Sequence, residues 1–156
     1  MFKHILLCTH GTAGAQKAEA FVFRQSAADS ALQVSVLTVL DEDWRLMTGD
    51  DWLNSSKTHT AFLDHVEEQV SEEIGEEWQR IRDTYPAASE AVFLQRTGSI
   101  AETITRVANK LHCDVIAIGP YQKSKGIFSH AEKGLRARMK NEILHPLLPC
   151  PLLIIP

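Results

Sequence analysis

Apolar and polar positions alternate in blocks along this chain. Phe2 to Thr9 is a nearly continuous apolar run, the pattern of a strand covered on both faces. Gly11 and Gly14 break it. From about Ala13 to Ser30, alanines, Phe21 and Val22 interleave with polar residues and predict a helix. Val34 to Leu40 is rich in β-branched residues and predicts a second strand. The acidic stretch Asp41 to Ser56, with Trp44 and Trp52, follows neither period and reads as a long loop with room for one short helical turn.

Phe62, Val66, Val70, Ile74, Trp78 and Ile81 then recur at spacings of three or four, the apolar stripe of a long helix. Its outer face carries Glu67, Glu68, Glu72, Glu73, Glu76 and Glu77, a solvated acidic run, and Tyr85-Pro86 ends it. Ala91 to Leu94 is a short third strand. Gly98-Ser99 opens another helix, with Ser99 as cap, Glu102 in the reciprocal capping position, and Ile100, Ile104, Val107 and Leu111 as its buried stripe. Asp114 to Gly119 is a fourth strand. A basic irregular segment follows, then a helix marked by Leu135, Met139 and Ile143. Pro151 to Ile155 is a fifth strand.

Strands that alternate with helices imply an α/β fold: a five-stranded parallel sheet with helices on both faces, three layers in all. Right-handed crossovers and one reversal of winding predict the order 3-2-1-4-5. No repeat or linker divides residues 1–156, so a single domain is expected. The reversal opens a crevice at the C-terminal ends of strands one and four, where open α/β sheets bind ligands.

Composition narrows the function. With 156 residues, 44% of them hydrophobic and 23% charged, the chain is long enough for a core without staples. A net charge of -4 favours neither a nucleic acid nor an anionic membrane as partner. The N-terminal apolar run is too short for a signal peptide or a membrane span, and Cys8, Cys113 and Cys150 are odd in number and scattered. A cytoplasmic protein with buried, inert thiols is expected.

Two segments line the predicted crevice: Thr9-His-Gly-Thr12, and Gly119 onward. Between Gly119 and Lys140 stand six cations (Lys123, Lys125, Lys133, Arg136, Arg138, Lys140) and one acid, Glu132. Glycines admit a ligand close to the backbone, and amides with nearby cations suit phosphate. Without a ligand, the same segment is a basic solvated loop and helix face. The expected contacts are His10, Gly11, Thr12 and Val39 near a base or sugar, Val39 because the end of strand two flanks the crevice. Gly119, Lys123, Lys125, Gly126, Gly134, Arg136 and Arg138 are expected near phosphates.

The opening Met1-Phe-Lys-His-Ile-Leu-Leu-Cys-Thr-His-Gly-Thr12, Gly98-Ser-Ile-Ala-Glu-Thr-Ile104, Cys113-Asp-Val-Ile-Ala-Ile-Gly119 and Pro149-Cys-Pro-Leu-Leu-Ile-Ile155 occur in order along the whole chain. Together they resemble the universal stress protein family. The resemblance implies a Rossmann-like α/β/α fold, a homodimer, and a non-catalytic stress-response role. One branch of the family binds ATP and another does not. Here His10 stands where the nucleotide-binding branch has Asp, Gln122 where it has its second strand-four glycine, and Gly134 is followed by Leu135 instead of Ser or Thr. An atypical ATP site, with magnesium, is the expectation; a nucleotide-free interaction protein is the alternative.

Other chemistries fare worse. Strand one ends in Cys8, Thr9 and His10, not in the acids of a phospho-acceptor receiver domain. Cys8 and His10 share a strand face, so a thiol enzyme is a third reading. His59 and His65 do not share a helix face, and the acids from Asp41 to Asp51 lack calcium-loop spacing, so no metal site is expected. The fifth strand would be an exposed apolar edge. Pairing with its copy would cover it, and Pro151 and Pro156 limit its length.

Overall fold

A computed structural model of the chain describes residues 2–9, 13–41, 56–120 and 148–156. β1 (His4–Cys8) is the central strand, parallel to β2 (Gln33–Asp41) on one side and to β4 (Val115–Ile118) on the other. β3 (Val92–Gly98) pairs outside β2, and β5 (Leu152–Ile154) outside β4. The order is β3-β2-β1-β4-β5, as the alternation of elements predicts. Ile5 to Cys8 and Val115 to Ile118 are all buried, which explains their unbroken apolar character.

Side chains alternate across the sheet and build two cores. On one face Ile5, Leu7, Val34, Val36 and Val115 meet Ala18, Val22 and Phe23 of α1 (Ala13–Ala28) and Ile81 of α2 (Ser56–Thr84). Further along α2, Leu63, Val66, Val70 and Ile74 pack with Leu40 of β2, and Trp78 stacks on Phe93 with ring centroids 5.0 Å apart. On the other face Leu6, Cys8, Leu37 and Ile116 meet Ile100, Ile104 and Val107 of α3 (Ile100–Lys110). Each large aliphatic side chain so buried contributes roughly 1.5–3 kcal/mol.

The structure revises several expected boundaries. β1 begins at His4, where the Asp114 carboxylate accepts hydrogen bonds from the Lys3 and His4 amides at 2.6 and 2.8 Å. A 3₁₀ turn, Pro86–Glu90, follows α2. β3 runs through Gln95, Arg96 and Thr97 to Gly98, past the expected end at Leu94, because an outer strand needs only backbone pairing with β2. β5 is three residues long, inside the expected Pro151 to Ile155.

The expected cap on α3 is not formed. Ser99 has extended backbone at the N-cap but makes no side-chain cap bond; only its carbonyl engages the helix, accepting from the Thr103 amide at 2.9 Å. At the other end, the Cys113 amide donates to Ala108 O at 3.0 Å and the His112 amide to Asn109 O at 3.2 Å, with His112 left-handed at φ 52°. That is a Schellman ending with histidine where glycine is usual. The expected loop after Asp41, with Trp44 and Trp52, and the helix around Leu135, Met139 and Ile143 lie outside the described residues. Among the described residues no helix is long and apolar enough to cross a membrane.

Candidate functional site

The winding reverses between β1 and β4, and their register sets Cys8 beside Ile118. Thr9 and Gly119 therefore leave the sheet side by side. The first turn of α1 crosses directly over this point. A Cβ on Gly119 would strike the Gly14 carbonyl and lie 2.7 Å from the Ala15 amide nitrogen. A Cβ on Gly14 would strike the Pro120 carbonyl. Two glycines thus let the two backbones touch, so the first turn of α1 lies against Gly119 and Pro120 just after β4.

Thr9 is held from three sides. Its amide donates to Leu37 O at 3.0 Å, its carbonyl accepts from the Thr38 hydroxyl at 3.1 Å, and its hydroxyl donates to Glu19 Oε1 at 2.6 Å. Its side chain is committed to the protein, not free for a ligand. Glu19 is completely buried, and its second oxygen accepts from Arg80 Nη2 at 2.6 Å. Arg80 Nε also donates to Glu77 at 3.0 Å. Partial burial works against the Arg80 charge, but the hydrogen bonds and charges of Glu19 and Glu77 outweigh it and push its pKa up. Burial, then the negative charge of Glu19, raises the Tyr85 hydroxyl as well. A chain of contacts therefore runs from the end of β1, through α1, to the C-terminal part of α2. It stiffens the base of the crevice.

Of the residues expected at the site, Val39 and Gly119 are described. Val39 stands near the C-terminal end of β2, 6% exposed, and belongs to the core under α3. Gly119 is buried against Gly14. His10, Gly11, Thr12, Lys123, Lys125, Gly126, Gly134, Arg136 and Arg138 lie outside the described residues. The Glu19–Arg80 pair was not among the expected residues. Its one sequence signal is an acid on the Ala15, Ala18, Val22 stripe of α1, where every neighbour is buried.

The thiol reading finds no support in Cys8. It is completely buried, and burial, with Cys113 and Cys150 nearby, pushes its pKa far up, so the nucleophilic thiolate is suppressed. Cys113 is likewise pushed up to about 11 by burial, then by Cys150 and Asp114. All three thiols are free and belong to the core under α3. Among the described residues no group of three or more His, Cys, Asp or Glu could hold a metal ion.

Solved structures of similar fold cover almost the whole chain. The hypothetical protein MJ0577 is 20% identical with a TM-score of 0.70, over 99% of this chain and 96% of its own. UspA from Lactobacillus plantarum is 16% identical with a TM-score of 0.61, over 99% and 97%. A universal stress protein in complex with cAMP is 11% identical with a TM-score of 0.60, over 99% and 97%. At these identities the likeness shows the fold. No curated protein sequence matches the chain. The family model of the universal stress proteins matches residues 1–127, a span that holds β1 to β4, α1 to α3 and the Gly14–Gly119 contact. With the sheet order and the glycine contact both accounted for, the chain belongs to the universal stress protein family.

Proposed function

We propose that this chain is a non-catalytic, cytoplasmic stress-response protein, a single domain over residues 1–156, that binds an adenine nucleotide, ATP with magnesium, at the C-terminal ends of β1 and β4. The observation that carries the reading is the Gly14–Gly119 contact at the reversal of strand order. It sets Gly14 against Gly119 and Pro120; His10, Gly11 and Thr12 precede Gly14 in sequence, and Lys123, Lys125, Gly126, Gly134, Arg136 and Arg138 follow Pro120. The first group would face base and sugar, with Val39 beside it, and the second the phosphates. A family member of the same fold in complex with cAMP supports an adenine ligand.

The same reading includes a homodimer through β5. Among the described residues no strand pairs with the outer side of β5, and Ile154 is 42% exposed. Beside it runs an apolar groove of about 210 Å³ lined by Phe2, Phe21, Val22, Val115 and Leu153. A second copy pairing at β5 would cover both.

Calorimetric titration with ATP, with and without magnesium, tests the site, together with nucleotide release from denatured protein. Micromolar binding, about -8 kcal/mol, that is lost in Lys123→Ala/Lys125→Ala supports the reading. No heat and no released nucleotide would overturn it in favour of a nucleotide-free interaction protein whose working surface is the apolar groove.

A further inference from the structure

A second groove lies on the opposite face of the sheet and at the opposite edge. It is formed by β3 and α3, with a volume of about 290 Å³, at the lower end of small-molecule sites, which run from about 300 Å³. Its polar lining is Arg96, Thr97, Thr103, Arg106 and Lys110, and among the described residues no acid lines it. Thr103, Arg106, Val107 and Lys110 are spaced to share one face of α3, and Leu94 and Arg96 share one face of β3. Cations thus stand on both walls, with Leu94 and Val107 between them.

Among the described residues no carboxylate pairs with these cations. Arg96 spends one nitrogen on the Gln95 carbonyl at 2.8 Å. Arg106 and Lys110 are one helical turn apart, a like-charge spacing that costs a helix stability. Glu102, one turn before Arg106, does not line the groove. Protection of an edge strand would account for Arg96. It does not account for two more cations on a helix that face the same cavity. An anion between the walls would relieve the repulsion, and guanidinium groups pair with phosphate oxygens two at a time.

We propose that this groove binds a compact organic phosphate, its phosphate held by Arg96, Arg106 and Lys110 and the Thr103 hydroxyl, and its apolar body laid on Leu94 and Val107. The site is separate from the crevice at β1 and β4, and the proposal stands whether or not that crevice binds nucleotide.

The test is an NMR titration of the full chain with phenyl phosphate and, separately, inorganic phosphate, at low salt. Amide shifts centred on Arg96, Thr103 and Val107 are expected, with phenyl phosphate tighter than inorganic phosphate because only it covers the apolar floor. Arg106→Gln/Lys110→Gln changes exposed side chains, so it keeps the fold, and it should weaken phenyl phosphate at least about tenfold. Arg106→Lys/Lys110→Arg should restore most of that affinity, and ATP heat at the crevice should not change in either variant. Unaltered affinity in Arg106→Gln/Lys110→Gln, shifts confined to residues 119–140, or no shift at millimolar phenyl phosphate would each overturn the proposal.

Discussion

On the face covered by α1 and α2, a charged pair is inside and the groove beside β5 is lined mostly by apolar side chains, with Gln25 and Asp29 as its polar lining. Glu19 is completely buried with Arg80 and Thr9 on its two oxygens, while the groove beside β5 is lined by Phe2, Phe21, Val22, Val115 and Leu153. On the α3 face the arrangement is inverted. The interior is largely aliphatic, with Ser35, Thr103 and the thiols as uncharged polar groups, and cations line the groove beside β3. The difference separates two uses of charge. A buried carboxylate is costly to desolvate, and its benefit is positional: it can sit only where both partners reach it. Cations in an open groove cost little, and their benefit comes when an anion arrives.

Removing half of the buried pair should have the largest effect. Glu19→Ala leaves Arg80 without its main partner and is expected to lower unfolding free energy by about 3–5 kcal/mol in urea titration. Replacing both partners, Glu19→Met with Arg80→Met, should cost much less. A cost under about 1 kcal/mol for Glu19→Ala would end the contrast between the faces.

Next in size is a charge placed in the apolar groove. Leu153→Glu should weaken self-association at least about tenfold by sedimentation, roughly 1.4 kcal/mol, with the monomer fold retained. An unchanged association state would show that a second copy does not cover this groove.

Alkaline pH reads the interior of the α3 face. Cys113 has its pKa raised from 9.0 to about 11 in the folded chain. Between these values the unfolded chain gives up the proton that the folded chain keeps, so stability should fall as pH rises through this window. Cys113→Ala should reduce that slope in pH-dependent denaturation; an identical slope would place the loss elsewhere. The smallest expected change is a gain. His112→Gly removes the left-handed strain at the end of α3 and should raise stability by about 0.5–1 kcal/mol in thermal unfolding.

Much of the fold was legible because its signals are local. The apolar runs at Phe2 to Thr9 and Asp114 to Gly119 mark strands buried on both faces, and the Val66, Val70, Ile74 and Ile81 stripe marks a helix packed on one. The end of β3 was not legible: Gln95, Arg96 and Thr97 carry no core pattern, and only pairing with Thr38, Val39 and Leu40 extends the strand. Ser99 and Glu102 have the right spacing for a capping box, yet spacing does not orient a hydroxyl, and no side-chain cap forms.

By itself the sequence determined the class of fold, the strand order and where winding reverses. These follow from hydrophobic period and from the handedness of crossovers, which act over short stretches of chain. It also marked Gly14 and Gly119 as breaks, without saying that they touch. Tertiary structure decided that contact, the union of Glu19 with Arg80 and Thr9, and the meeting of Arg96 with Arg106 and Lys110 in one groove. Each joins residues distant in sequence, and no local propensity encodes a partner that only the packing of the sheet and its helices brings within reach.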